Sequence, residues 1–250
     1  MTRILVSGDS HADRSHIHSL KSKVEKFECD RVFVVGDYGF WPRDKGGLKY
    51  LNDIAALDYP VYFTAGNHED WDMLDAHVAD PNFNDEGFIE VHTNSFYAPT
   101  GFSWTWDDVK FLSVGGAYSI DRKRRVKFIS WFPQEIITEE DVANCMGVGE
   151  VDVLLSHDGP ACADLSLEFA SQYGDMREFW IEENTELNRQ RLQVIVDMTH
   201  PKYLVHGHWH LGYKQKIGDL FIQGLNCNAN PDYFTVIDTD IINENRKELT

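Results

Sequence analysis

Five short apolar runs in this chain each lead into residues that bind hard divalent metals, and this recurrence limits the possible folds more than any other feature. Ile4-Leu5-Val6 runs into Ser7-Gly8-Asp9-Ser10-His11, and Val32-Phe33-Val34-Val35 into Gly36-Asp37. Val61-Tyr62-Phe63 runs into Thr64-Ala65-Gly66-Asn67-His68-Glu69, Val151-Asp152-Val153-Leu154-Leu155 into Ser156-His157, and Leu204-Val205 into His206-Gly207-His208-Trp209-His210. A short, largely continuous apolar run closed by a turn signal reads as a strand buried on both faces. Between the first two runs, Asp13 to Phe27 carries Ile17, Leu20, Val24 and Phe27 at helical spacing, with Asp13 or Ser15 as its cap. Gly46 to Leu57 predicts a second helix and Glu69 to Ala79 a third. Strands alternating with helices imply a largely parallel sheet, in which ligands gather at the carboxyl ends of the strands. Every candidate ligand falls there.

The rest of the chain predicts further strands. Asp80 to Asn94 is polar and reads as a loop. Trp104 to Trp106 and Val109 to Val114 flank Asp107-Asp108 as a hairpin, and Tyr213 to Ile217 and Leu220 to Gln223 flank Gly218-Asp219 as another. Thr138 to Met146 reads as a helix with Thr138 capping and Asp141 in the box position. Phe179 to Met198 predicts a long amphipathic helix, Tyr233 to Ile237 a last strand, and the polar tail from Asn243 is expected to fray. No repeat or linker divides the chain, so residues 1–250 are expected to form one α/β domain. Its expected form is a four-layer α-β-β-α sandwich of two mixed sheets, with metals at the carboxyl ends of the strands.

Charge narrows the partners. With 23 basic and 41 acidic residues the net charge is −18, which disfavours long nucleic acid. A small substrate with one or two phosphates is less penalised, because bound metals reverse the local sign. No apolar run approaches the roughly 20 residues of a membrane helix. A strand pattern by residue 3 leaves no room for a signal peptide. Cys29, Cys145, Cys162 and Cys227 are scattered without a CxxC pair. These features point to reduced thiols and a cytoplasmic protein.

Asp9, His11, Asp37, Asn67, His157, His208 and His210 are too many ligands for one zinc and suit two borderline-hard ions. Two divalent ions carry +4. Two aspartates and a bridging hydroxide leave about +1, which suits a phosphodiester monoanion, and paired metals can clamp both oxygens of an in-line displacement.

The order D-x-H, G-D, G-N-H-E, H and G-H-x-H, spanning Asp9 to His210, resembles the calcineurin-like metallophosphoesterase family. Gly115-Gly116-Ala117-Tyr118-Ser119-Ile120-Asp121 and Trp131-Phe132-Pro133-Gln134-Glu135 are similar to its small microbial and phage-encoded members; a phage-encoded chain would work in the host cytoplasm. The resemblance implies one metal on Asp9, His11, Asp37 and His210. It implies a second on Asn67, His157 and His208, with Asp37 as the bridge. His68 would bind no metal but face the substrate. The family often has G-D-x-x-D at the second block; Phe40 stands at the last position here, which argues against the protein-phosphatase branch.

The expected activity is hydrolysis of small phosphodiesters by a metal-bridging hydroxide. Cyclic nucleotides are the expected class, 2′,3′-cyclic ahead of 3′,5′-cyclic, and Mn²⁺ is the expected ion, with Fe, Zn²⁺ or Ni²⁺ as alternatives. Phosphomonoesterase or phosphoprotein phosphatase, nuclease, and metal-stabilised scaffold are the other readings. Tyr38, Phe40 and Trp41 follow Asp37 directly and would either pack the loop or wall a nucleobase site. Arg122, Lys123, Arg124, Arg125 and Lys127 are a solvated strand edge, a phosphate-steering rim or an oligomer contact, with Arg122 the candidate substrate contact. Glu69 and Asp70 are expected to support the ligands and a helix N-terminus. His206 alternates away from the His208 side and is expected in the core or behind the ligands.

Overall fold

The computed structural model describes residues 1–119, 121–165 and 183–248. Two six-stranded mixed sheets pack face to face. In the first, β1 (Arg3–Ser7), β2 (Arg31–Val35), β3 (Val61–Thr64) and β5 (Ser95–Tyr97) run parallel, with β12 (Phe234–Asp238) and β4 (Ile89–His92) antiparallel at the edges. The second repeats this plan. Its parallel strands are β11 (Leu220–Gly224), β9 (Tyr203–His206), β8 (Val153–Ser156) and β7 (Val109–Val114), with β10 (Tyr213–Ile217) and β6 (Ser103–Trp106) antiparallel at the edges.

Alternation along the strands explains the continuous apolar runs. Ile4 and Val6 of β1, Phe33 and Val35 of β2, and Val153 and Leu155 of β8 fill the space between the sheets. Leu5, Val32 and Val34 face out under α1 (Arg14–Phe27), α2 (Lys45–Ala55) and α3 (Trp71–Ala79). Leu154 and Leu204 face out on the other side toward α5 (Glu183–Thr199), where Leu192 and Ile195 cover them near α4 (Glu139–Cys145). Both faces of the central strands β1, β2, β3 and β8 are dry, so these strands need apolar residues throughout.

Local signals set the connections. Asp13 caps α1 by accepting from the Ser15 N–H, and Asp44 caps α2 through the Gly46 and Gly47 N–H groups. Thr138 and Asp141 form a reciprocal capping box on α4. Asp107 and Asp108 take φ of 46° and 64°, the left-handed pair of a two-residue hairpin turn between β6 and β7.

Three expectations change. The Asp80–Asn94 segment contains β4, a short edge strand with a register shift whose Glu90 and His92 are half-exposed, so its apolar signal is thin. Asn243 to Glu248, expected as a frayed tail, lie in helix α6 (Thr239–Glu248). The basic cluster is a 3₁₀ turn at Arg122–Arg124 rather than a strand edge. The expected Phe179–Met198 helix is present as α5; Phe179 to Glu182 lie outside the described residues, as does Ile120. Among the described residues no helix is long and apolar enough to cross a membrane, and all four cysteines are free thiols.

Candidate metal centre

The carboxyl ends of the two sheets meet where the candidate ligands lie. Asp9 and His11 follow β1, Asp37 follows β2, Asn67 follows β3, His157 follows β8, and His208 and His210 follow β9. Six of these seven side chains converge in two groups. In the first, Asp9 Oδ2 lies 2.9 Å from His210 Nε2 and 3.8 Å from His11 Nε2, and the two imidazole nitrogens are 3.1 Å apart. In the second, His157 Nε2 lies 2.9 Å from Asn67 Oδ1 and 3.4 Å from Asp37 Oδ1. Asp37 reaches both groups, since its Oδ2 is 3.6 Å from His11 Nδ1. His208 is the outlier. Its ring packs 5.0 Å from that of His157, outside both the Asp9–His11–His210 and the Asp9–Asp37–His157 clusters.

The tautomer of His157 tests whether a cation fits. Its Nδ1 is 2.9 Å from the Val35 carbonyl oxygen, which can only accept, so Nδ1 carries the hydrogen. Nε2 of the neutral ring then offers a lone pair toward an amide oxygen and a carboxylate. Three lone-pair atoms aimed at one point need a proton or a metal ion between them. Without metal the proton serves. Burial opposes a charge on His157, but Asp37 and Asp9 outweigh it and hold its pKa above the ordinary value. Burial likewise opposes His210, yet its hydrogen bond to Asp9 carries it up to about 11. Burial would raise Asp37, but His157, His68 and His11 hold it well below the carboxylate range. The donor set therefore fits divalent cations, which would displace those protons.

Backbone geometry here is unusual. His11, Asp37, His208 and His210 have φ of 48°, 45°, 64° and 52°, the left-handed region that costs a non-glycine residue about 1–3 kcal/mol. Close approach completes the packing. A Cβ on Gly66 would lie 2.1 Å from Asp37 N and Oδ1, and one on Gly207 2.1 Å from Asp9 Oδ1. His68 is held at both backbone ends: its N–H donates to Asp37 Oδ1 at 2.8 Å and its carbonyl accepts from the Trp41 indole at 2.7 Å. Its ring sits 5.4 Å from that of His11, and burial lowers its pKa.

Residues 2–212 match the family model described as calcineurin-like phosphoesterase. The chain belongs to this family. A dimetal phosphatase from Danio rerio superposes with a TM-score of 0.58 at 12% identity, covering 94% of this chain and 91% of that one. TT1561 of Thermus thermophilus superposes at 0.56 with 10% identity, covering 96% of each chain. These likenesses show the fold. No curated protein matches the sequence significantly.

Of the two roles open to the aromatics after Asp37, the structure of this metallophosphoesterase gives packing to Tyr38 and Phe40, which corrects their candidacy as substrate contacts. Tyr38 and Phe40 are fully buried against Phe63, and the Tyr38 hydroxyl bonds Ser95 Oγ at 2.7 Å, so both pack the core beneath α2 and α3. Trp41 is half-buried, with its indole N–H committed to His68. Arg122 lies over the Tyr118 ring, 4.5 Å from its centroid. The basic residue that touches the Asn67–His68 segment is instead Arg125, which donates to the Asn67 carbonyl at 3.1 Å. Glu69 is buried and accepts from the N–H groups of Tyr38, Gly39 and Gly66, tying the Asp37 loop to the Asn67 loop. Burial and the Asp37 charge push Glu69 up to about 7, against those backbone hydrogen bonds. Asp70 caps α3 and is paired with Arg43. His206 is core: Nε2 meets the Tyr213 hydroxyl at 2.6 Å. Sequence reasoning gave no role to Ser119, Glu135 or Cys227. The first two belong to the two stretches that resembled small family members, a signal that attached no role to any single residue. Cys227 adds to the raised pKa of His210, and no motif marks it.

Proposed function

We propose that the chain is a two-metal phosphodiesterase for small phosphodiesters, with cyclic nucleotides as its substrate class and 2′,3′-cyclic ones ahead of 3′,5′-cyclic ones. The observation that carries this reading is the pair of lone-pair clusters at the joined sheet ends. Asp9, His11, Asp37 and His210 would hold one ion. Asp37, Asn67, His157 and His208 would hold the other, with Mn²⁺ the preferred metal. When bound, the ions would supply a water of lowered pKa and offset phosphate charge. Two carboxylates and one hydroxide against two divalent ions would leave about +1, which matches a singly charged diester better than a doubly charged monoester.

His68 has the position for the leaving oxygen. Both backbone ends are fixed, its ring borders His11, and its lowered pKa keeps the imidazole neutral near neutral pH, so that its N–H can donate to that oxygen. A strained five-membered cyclic diester needs little such help, which is compatible with Phe40 standing where relatives often carry a carboxylate. With Tyr38 and Phe40 in the core, Trp41 is the aromatic left to border a base. The net charge of −18 weighs against long nucleic acid.

The test is metal-stripped protein reloaded with Mn²⁺ and assayed on matched aryl mono- and diesters, both cyclic nucleotide classes and linear DNA, with metal content measured on the same sample. Faster diester cleavage and 2′,3′-cyclic turnover are expected. Monoester preference would reject the diester reading in favour of a phosphomonoesterase, and DNA digestion would favour a nuclease.

A further inference from the structure

We propose that Ser119 and Arg125 are positioning residues that hold the side-chain amide of Asn67 with its oxygen turned toward His157. An asparagine amide has an oxygen on one side and an NH₂ of nearly the same size on the other. Turned over, it would present hydrogens where a cation requires a lone pair, so a ligand asparagine must be told which way to face.

Ser119 and Arg125 set that direction. Asn67 Nδ2 donates to Ser119 Oγ at 2.9 Å, leaving Oδ1 facing His157 Nε2 at 2.9 Å. Ser119 is 1% exposed, and Arg125 also donates to the same hydroxyl oxygen, at 2.5 Å. The second nitrogen of that guanidinium donates to the Asn67 backbone carbonyl at 3.1 Å. One planar fork therefore fixes both the main chain of the ligand and the acceptor for its side chain, a geometry that lysine cannot reproduce. Arg125 is itself constrained: its side chain is 9% exposed and lies 3.5 Å from Asp121 and 3.9 Å from Glu135 Oε2. Buried Glu135 closes the ring, its Oε1 accepting from the Ser119 N–H at 3.1 Å and from the Trp131 indole at 2.7 Å.

This inference rests on the two-metal reading, and a pairwise experiment separates the two. Mn²⁺ binding is titrated calorimetrically for wild type, Ser119→Ala, Arg125→Lys, Asn67→Asp and the double variant that combines Ser119→Ala with Asn67→Asp, with melting temperatures in parallel. Ser119→Ala and Arg125→Lys should weaken one of the two ions by about 10- to 100-fold and leave the other unchanged. A carboxylate has two equivalent oxygens and no wrong face, so Ser119→Ala should cost little in the Asn67→Asp background. An equal loss in both backgrounds, or an equal loss at both ions, would overturn the positioning role while leaving the two-metal site intact. Fewer than two ions on the wild-type protein would overturn the two-metal reading, and this inference with it.

Discussion

The two halves of the candidate centre are built from similar ligands by different means. Asp37, Asn67 and His157 are 2%, 3% and 0% exposed, and His157 is fixed by a strand carbonyl. In the Asp9–His11–His210 half only Asp9 is fully buried; the His11 and His210 side chains are 29% and 35% exposed. Both histidines stand on left-handed backbone, and His210 is oriented by Asp9. Left-handed backbone occurs in both halves, at Asp37 and His208 as at His11 and His210, so the difference is burial: the inner half sits in a closed hydrogen-bonded network, whereas the outer half opens to solvent through its two histidines. The inner half should keep its metal longer under chelation, and the outer half should exchange first.

The largest expected effect breaks the inner half. Asp37→Asn removes the carboxylate that reaches both groups, 3.4 Å from His157 and 3.6 Å from His11. Turnover should fall by about three orders of magnitude, roughly 4 kcal/mol of barrier, and excess Mn²⁺ should not restore it. His11→Gln, on the exposed side, should lose about 10- to 100-fold in metal affinity and recover with added metal. Titrating turnover against Mn²⁺ for both variants decides it; the reverse ranking would end the contrast between the halves.

Next in size is an acid weakness behind the outer half. His16 is fully buried on α1, its Nε2 3.0 Å from Ser7 Oγ, two residues before Asp9, while its Nδ1 has no partner. Burial lowers its pKa from 6.5 to about 4. The ring is neutral in both states above pH 6.5, so its contribution to stability is fully present there. As pH falls from 6.5 toward 4, the unfolded chain takes up a proton that the folded chain refuses, and stability declines by about 3 kcal/mol. Denaturant melts of metal-free protein across that window should be less pH-dependent in His16→Gln. Identical slopes would show that His16 is protonated without cost.

The glycine pair sharpens the comparison at about 1–3 kcal/mol of stability each. Gly66→Ala pushes a methyl into Asp37 N and Oδ1, and Gly207→Ala pushes one into Asp9 Oδ1. Neither removes a ligand. Because Asp37 reaches both groups whereas Asp9 is centred on the outer one, Gly66→Ala should lower turnover more than Gly207→Ala at matched thermal stability. Equal losses would mean that the inner loop relaxes as easily as the outer one.

What was legible in the sequence follows from locality. Asp9-x-His11, Gly36-Asp37, Gly66-Asn67-His68 and Gly207-His208-x-His210 are contiguous motifs at strand ends, and β1, β2, β3, β8 and β9 end where the apolar runs end. His208 shared that signal although its ring lies outside both groups. Tyr38 and Phe40 were ambiguous because residues just past a strand can face a cleft or the core; only the packing of Phe63 and Ser95 settles which. β4 was hidden by the polar residues of an edge strand. The hydrogen bonds of Asn67 to Ser119 and Arg125 span 52 and 58 residues, so no local pattern could show them.

The smallest effect probes the seam between the halves. His68 follows the inner ligand Asn67, yet its ring borders the outer ligand His11. Its carbonyl is held by the Trp41 indole N–H at 2.7 Å, a bond that Trp41→Phe deletes while keeping an aromatic ring in place. A single hydrogen bond of this kind contributes about 1 kcal/mol. If the bond only stabilises the fold, the melting temperature should drop slightly and kcat should stay put. If it steadies the His68 ring, kcat on a diester with a poor leaving group should fall about fivefold, while an activated aryl diester, which needs no hydrogen bond from His68, is cleaved at the wild-type rate. That split between leaving groups is the expected outcome. A uniform loss on both substrates would instead place Trp41 against the substrate itself.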